Sequence, residues 1–311
     1  MRIVLLGTRR LGYEGLQLLV SEGHDVLAAF TTEHEITEGR GAAAFAALCA
    51  EHRIPFHLTA DLDARRDELA GWGIDLFVSL LWERIVSSRV LDTARLGGMN
   101  VHQSAFPLYR GDAPQNWAIL RGDRTAGVTL HWMVPEADAG DIIDQRTYEI
   151  GPDDTIADLG DRARILALAM LRERLPEIAA GTAPRRPQSH ADTVLSMPRV
   201  PGDGWIEWSA PGHAIHDLVL AVTHPYPGAF TIRGRTPIFV WRARLADPPV
   251  RSVAVPGTVI RRSASGGGAW VSTGDGVQVA GEAEGPAAGV LRAGDRIGAD
   301  IPALLAMIRA R

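Results

Sequence analysis

Lysine is absent from this 311-residue chain; all 32 basic residues are arginine. Schiff-base catalysis and a phosphate loop built on lysine are thereby excluded. Cysteine occurs once, as Cys49, which excludes an intrachain disulfide and any multi-cysteine zinc site. Cys49 lies in an alanine-rich helical stretch and reads as a small core residue. No apolar run reaches the roughly 18 residues of a membrane span. The opening Met1-Arg2-Ile3-Val4-Leu5-Leu6-Gly7 breaks too soon for a signal peptide and reads as a buried strand. A cytoplasmic protein with no membrane partner is expected. The net charge of -5 gives no global attraction for a polyanion, although Arg185-Arg186, Arg233 with Arg235, and Arg261-Arg262 can form local basic faces. The pattern Gly-x-Gly-x-x-Gly is also missing. Gly7, Gly12 and Gly15 read instead as a tight strand-to-helix turn. His213 and His216 stand three apart on a helix with no third ligand in their segment, so no metal is expected.

Hydrophobic content of 46% and charged content of 22% are ordinary for a globular chain, and the length allows two cores. Up to about residue 180, strand and helix signals alternate. Ile3 to Leu6, Val26 to Phe30, Ile54 to Leu58, Ile74 to Leu81 and Met99 to His102 read as strands, separated by helical stretches such as Ala42 to His52. This alternation predicts an α/β fold with a doubly wound, mostly parallel sheet. A capping box at Thr155-Ile156-Ala157-Asp158 opens a helix running to about Ala180. Residues 181 to 200, centred on Pro184-Arg185-Arg186-Pro187, read as a linker. Beyond it, a helix near Pro211 to Val222 and five short glycine-punctuated strands predict a smaller β-rich, OB-like open barrel. Gly266-Gly267-Gly268 reads as a hairpin turn. The expected division is a catalytic domain over 1–200 and a barrel-like domain over 201–311.

Chemistry concentrates after the strand ending at His102. Asn100 and His102 lie two apart and so project from one face of a strand. The turn Ser104-Ala105-Phe106-Pro107-Leu108-Tyr109-Arg110-Gly111 follows, then a strand-like run over Gly127 to Met133, then the loop Pro135-Glu136-Ala137-Asp138-Ala139-Gly140-Asp141. Taken singly, these residues read as a capped strand end, a core histidine and a turn aspartate. Together, an amide donor, an imidazole and a carboxylate suffice for acyl transfer to an amine without a serine or cysteine nucleophile.

Asn100-Val101-His102, the Pro107-Leu108-Tyr109-Arg110-Gly111 turn and Asp138-Ala139-Gly140-Asp141 resemble the motifs of the 10-formyltetrahydrofolate-dependent formyltransferases. The 38-residue step from Asn100 to Asp138 matches that family's spacing. The resemblance runs from the first strand to Trp205-Ile206-Glu207-Trp208, Pro225-Tyr226-Pro227-Gly228-Ala229-Phe230 and Val240-Trp241. Within the family, Asn100 to Leu130 looks closest to the enzymes that formylate UDP-4-amino-4-deoxy-L-arabinose and related amino sugars; methionyl-tRNA formyltransferases share much of the pattern. The resemblance implies that Asn100, His102 and Asp138 are catalytic. It also implies that 10-formyltetrahydrofolate lies against Arg84, Ile85, Val86, Val134, Pro135, Glu136 and Ala137, with Trp82 as a candidate wall. Arg110 and Asp112 are the expected substrate contacts. Two positions depart from the sugar enzymes: Ala105-Phe106 stands for Leu-Leu, and Asp112 stands for arginine, which suits a cationic amine. Thr31 to Ala43, with Glu38-Gly39-Arg40-Gly41, lacks the lysine-bearing insertion of the tRNA enzymes. The expected acceptor is therefore a small-molecule primary amine, either an amino-sugar nucleotide or an amino-acid-derived metabolite. Initiator tRNA is the runner-up, and a non-catalytic folate- or nucleotide-binding regulator is the alternative of a different class. The oligomeric state is left open.

Overall fold

The computed structural model describes residues 1–33, 41–189, 191–246, 252–262, 268–276, 278–285 and 288–298. Glu38-Gly39-Arg40 and Gly266-Gly267 lie outside them. The described chain forms two compact units. One comprises Met1–Pro114, Thr125–Glu149 and Gly160–Pro198; the other comprises Gln115–Arg124, Ile150–Leu159 and the residues from Arg199 onward.

The first unit opens with β1 (Arg2–Gly7), α1 (Arg9–Ser21) and β2 (Asp25–Thr31), then α2 (Ala42–Glu51) and β3 (Phe56–Leu58). It continues with α3 (Arg66–Ala70), β4 (Leu76–Leu80), α4 (Ser88–Leu91) and β5 (Gly98–His102). In β1 and β4 the apolar residues point alternately into two cores. Ile3, Leu5, Leu76, Val78 and Leu80 join one, and Val4, Leu6 and Phe77 the other. A strand covered on both faces has to be apolar throughout, as these runs are. Leu11, Gly15, Leu18 and Leu19 occupy i, i+4, i+7 and i+8 of α1 and are all buried, the pattern of a helix laid on a sheet.

The glycines after β1 act differently from expectation. Only Thr8 separates β1 from α1, so there is no turn over Gly7 to Gly12. Instead a Cβ on Gly12 would stand 2.7 Å from the backbone carbon of Gly7. The glycines let the helix backbone rest directly on the strand.

After β6 (Arg110–Gly111) and α5 (Pro114–Leu120), β7 (Thr125–Trp132) and β8 (Ile142–Glu149) complete a seven-stranded sheet of order β3-β2-β1-β4-β5-β7-β8. The five strands through β5 are mutually parallel. β7 runs antiparallel to β5, and β8 antiparallel to β7. The helix α6 spans Ile156–Ala179, and β9 (Leu195–Ser196) pairs with β6. Residues 181–197 are thus bound into the first unit: Arg186 exchanges both backbone hydrogen bonds with Ile142.

The second unit holds α7 (Gly212–Val222) and the strands β10 (Ala229–Arg233), β11 (Thr236–Leu245), β12 (Val259–Arg262), β13 (Gly268–Ser272) and β14 (Gln278–Glu284). They form an open antiparallel sheet of order β10-β11-β14-β13-β12. Small strands around one face and a packed helix give the half-barrel that the glycine-punctuated sequence predicts. Among the described residues no helix is long and apolar enough to cross a membrane.

Candidate active site

Strand register builds the site. Asn100 on β5 stands opposite Ser79 on β4 and opposite His131 on β7. Residues in such a row share one face of the sheet, so three polar side chains meet in line. The Ser79 hydroxyl donates to Asn100 Oδ1 at 2.6 Å, and Asn100 Nδ2 donates to His131 Nε2 at 3.1 Å. The amide orientation follows: Oδ1 faces the serine, and one N–H of Nδ2 remains beyond the bond to His131.

His102 lies two residues along β5, on the same face. Its ring is buried and its Nε2 faces the carbonyl of Tyr109 at 2.8 Å. A carbonyl only accepts, so the proton resides on Nε2 and Nδ1 is the bare nitrogen of the neutral ring. Nδ1 turns toward Asp138 Oδ2, 3.4 Å away. Two acceptors face one another there, a pair suited to receive a proton or an ammonium N–H. The same reasoning applies to His131, whose Nδ1 donates to the Trp132 carbonyl at 3.0 Å and whose Nε2 lies 3.5 Å from Asp138 Oδ1. Asp138 therefore stands between two imidazoles.

The charges follow from these contacts. Burial pushes His102 below the usual 6.5 of imidazole, more than the Asp138 carboxylate and the Tyr109 carbonyl raise it; His131 lowers it and Asp112 raises it. For Asp138 burial is the largest single influence and acts upward. The attraction of His102 and His131 in their protonated forms, together with the Gly111 N–H, outweighs it and holds the carboxyl well below the usual carboxylate range. The resting pair is a carboxylate beside a neutral imidazole.

Asp138 reaches this place from the loop after β7 with a backbone φ of 54°, a conformation unfavourable for most residues but more accessible to aspartate. The Gly111 N–H donates to Asp138 Oδ2 at 2.9 Å. Gly111 has φ 105°, and a Cβ there would stand 2.4 Å from the Ser196 carbonyl, so the turn requires glycine twice over. Phe106 stacks on His102 with centroids 4.9 Å apart and lies 5.1 Å from His131. The departure from Leu-Leu thus puts an aromatic wall on both imidazoles, while Ala105 packs near Gly127.

The expected substrate contacts divide. Asp112 is exposed and close enough to His102 to raise it electrostatically. Arg110 is turned inward. It is 3% exposed, and its Nε and Nη2 both donate to Gln188 Oε1, at 3.0 and 2.6 Å. A guanidinium buried in this way supports the turn. Around the expected pterin slot, Arg84, Ile85 and residues 134–137 are exposed, and Val86 is buried. Trp82 and Val86 share one core cluster against which Met133 packs, so the two expected segments are neighbours. The buried indole Nε1 of Trp82 has no hydrogen-bond partner.

His131, Ser79 and Gln188 were not singled out by sequence reasoning. For His131 a signal exists: Thr129 and His131 are polar at alternate positions of an otherwise apolar strand. Outside this site, His216 has Asp153 and Asp217 at 3.5 and 3.4 Å. Among the described residues, no group of three or more His, Cys, Asp or Glu side chains is placed to hold a metal ion.

Comparison with known proteins agrees with this architecture. Residues 1–175 match the family described as formyl transferase, and residues 200–290 match the formyl transferase C-terminal domain. The fold is shared with WlaRD, a sugar 3N-formyl transferase crystallised with dTDP and 5-N-formyl-THF. That pair is 18% identical with a TM-score of 0.69, over 91% of this chain and 97% of that one. It is also shared with an N-formyltransferase from Helicobacter canadensis bound to folinic acid and dTDP-3-aminofucose, at 17% identity and a TM-score of 0.71, over 91% of this chain and 100% of that one. HypX from Aquifex aeolicus, solved with tetrahydrofolic acid, matches at 20% identity and a TM-score of 0.65, over 90% of this chain and 43% of that longer one. With a family match over residues 1–175, more than half of its length, the chain belongs to the formyl transferase family.

Proposed function

We propose that this protein is an N-formyltransferase that moves the formyl group of 10-formyltetrahydrofolate to the primary amine of a small molecule, with amino-sugar nucleotides as the leading acceptor class. The observation that carries this reading is the pairing of a neutral His102 Nδ1 with the Asp138 carboxylate, 3.4 Å apart, beside an amide donor held in place. Transfer forms a bond between the amine nitrogen and the formyl carbon and breaks the bond from that carbon to the folate nitrogen. The amine loses a proton and the folate nitrogen gains one. His102 Nδ1 takes the proton, and the imidazolium so formed is stabilised by Asp138. The remaining N–H of Asn100 meets the charge that develops on the formyl oxygen. Because Ser79 and His131 already orient this amide, it needs no reorganisation at the moment of reaction.

The folate cosubstrate supplies the formyl group; Arg84, Ile85, Val86 and residues 134–137 would hold it, with residues 1–200 as the catalytic domain. The unpartnered indole N–H of Trp82 fits a heterocycle rich in acceptors. Asp112, exposed beside the pair, draws an ammonium substrate toward His102 and disfavours a phosphate there. Relatives of the same fold crystallised with dTDP, or with dTDP-3-aminofucose, support a sugar nucleotide. A non-catalytic binder has no use for a base paired with a carboxylate. The test is tetrahydrofolate release from 10-formyltetrahydrofolate as dTDP- and UDP-amino sugars and ornithine-type amines are added in turn. Release that depends on one of these amines supports the reading; release indifferent to every amine contradicts it.

A further inference from the structure

Gln188 lies in the stretch that the sequence presents as a linker, 50 residues beyond Asp138. It is 8% exposed, and its amide is fully engaged. Oε1 accepts from Arg110 Nε and Nη2, at 3.0 and 2.6 Å. Nε2 donates to the carbonyls of Asp138 and Gly140, at 2.9 and 2.5 Å. Gly111, next to Arg110, donates its N–H to the Asp138 carboxylate. The bonds therefore close a ring: Gly111 to the Asp138 carboxylate, the Asp138 carbonyl to Gln188, Gln188 to Arg110, and Arg110 back to Gly111 through the chain. β9 fastens the same turn from the strap side, with Asp112 N–H and Arg110 N–H donating to the Ser196 and Val194 carbonyls.

We infer that Gln188 is a positioning residue: by gripping the Asp138 loop with its N–H groups and the Arg110 guanidinium with its oxygen, it holds the Asp138 carboxylate against His102. A glutamine is suited to this because one planar group both donates twice and accepts twice. Glutamate retains the partner for Arg110 but turns two donors into acceptors facing two carbonyls. Alanine removes both halves without adding charge. The inference rests on the proposed roles of His102 and Asp138, but its geometric part stands apart from turnover.

The experiment has two arms. In the first, His102 is titrated by NMR without substrate in the wild type, Gln188→Ala and Asp138→Asn. The groups facing His102 are Asp138, His131 and Asp112, with the Tyr109 carbonyl on Nε2. If Gln188 positions Asp138, Gln188→Ala lowers the His102 pKa in the same direction as Asp138→Asn, because an attractive carboxylate has moved away. An unchanged titration in a folded Gln188→Ala protein overturns the inference. In the second arm, Gln188→Glu keeps Arg110 paired and so protects folding. It is expected to lower kcat by about 10²-fold, the scale of a misplaced catalytic group, with KM for both substrates changed by less than about threefold. Loss through KM alone, with kcat intact, overturns it as well. Failure to find any acceptor defeats the functional proposal and leaves the first arm in force.

Discussion

Asp138 holds a left-handed backbone conformation that costs an ordinary L-residue roughly 1–2 kcal/mol, and it does so where its carboxylate meets two imidazoles. Strain at such a point is sustained only where surrounding bonds over-determine it, and the Gly111 and Gln188 contacts do so. His102→Ala removes the proton acceptor and is expected to lower kcat by about 10²- to 10⁴-fold. Asn100→Ala removes the donor to the formyl oxygen, at about 10²- to 10³-fold. Folate affinity, measured by calorimetry, should change little in either variant. The pH dependence follows from the direction of the His102 shift. Burial holds its pKa below 6.5, so the base stays neutral as pH falls past 6.5, and kcat/KM declines only as pH drops through the lowered value. Asp138→Asn takes away an influence that raises His102. The residual rate of that variant should therefore show its acid limb at lower pH than the wild type. A limb at or above 6.5 in the wild-type profile would contradict the assignment.

At the scale of elements, the close approach of α1 to β1 makes Gly12 the position to probe. A Cβ there meets the Gly7 backbone at 2.7 Å, and backbone cannot rotate aside as a side chain can. Gly12→Ala should cost about 1–3 kcal/mol, the usual cost of overpacking, seen as a lower denaturant midpoint with kcat of the folded fraction retained. β1 and β4 were legible because their signal is local: continuous apolar runs mark strands covered on both faces. Asn100 and His102 could be placed together for the same reason, being two apart on one strand. Asp138 joined them only through the family resemblance. Gln188 was not legible, and His131 was legible only as a polar position on an apolar strand. His131 meets Asn100 because β7 returns antiparallel in a register that no local pattern states. Arg110 was expected at the substrate from the family-like turn it belongs to; its tie to Gln188, 78 residues away, has no local signal. The stretch from 181 read as a linker for its polarity, whereas Gln188 bonds to the Asp138 loop and to Arg110, and the backbones of Arg186, Val194 and Ser196 pair with β8 and the β6 turn.

For the whole molecule, charge bears most on the choice of acceptor. A protein that neutralises phosphates binds with a steep salt dependence, about one power of salt per contact. This chain carries a net charge of -5 and no lysine, and the exposed carboxylate of Asp112 adjoins the His102–Asp138 pair. Transfer to a small amine should accordingly vary little with salt, a weaker dependence than a protein gripping initiator tRNA would show; a steep fall in kcat/KM between low and moderate salt would argue against this picture. The most direct measurement of the central claim is mass spectrometry of a mixed reaction. Wild-type protein and His102→Ala are each incubated with 10-formyltetrahydrofolate, a set of dTDP- and UDP-amino sugars with ornithine-type amines, and methionyl-initiator tRNA. The predicted result is one formyl group gained by a small amine with the wild type, little or none with His102→Ala, and unmodified tRNA. Efficient formylation of the tRNA with every small amine untouched, or equal product from the two proteins, would contradict it.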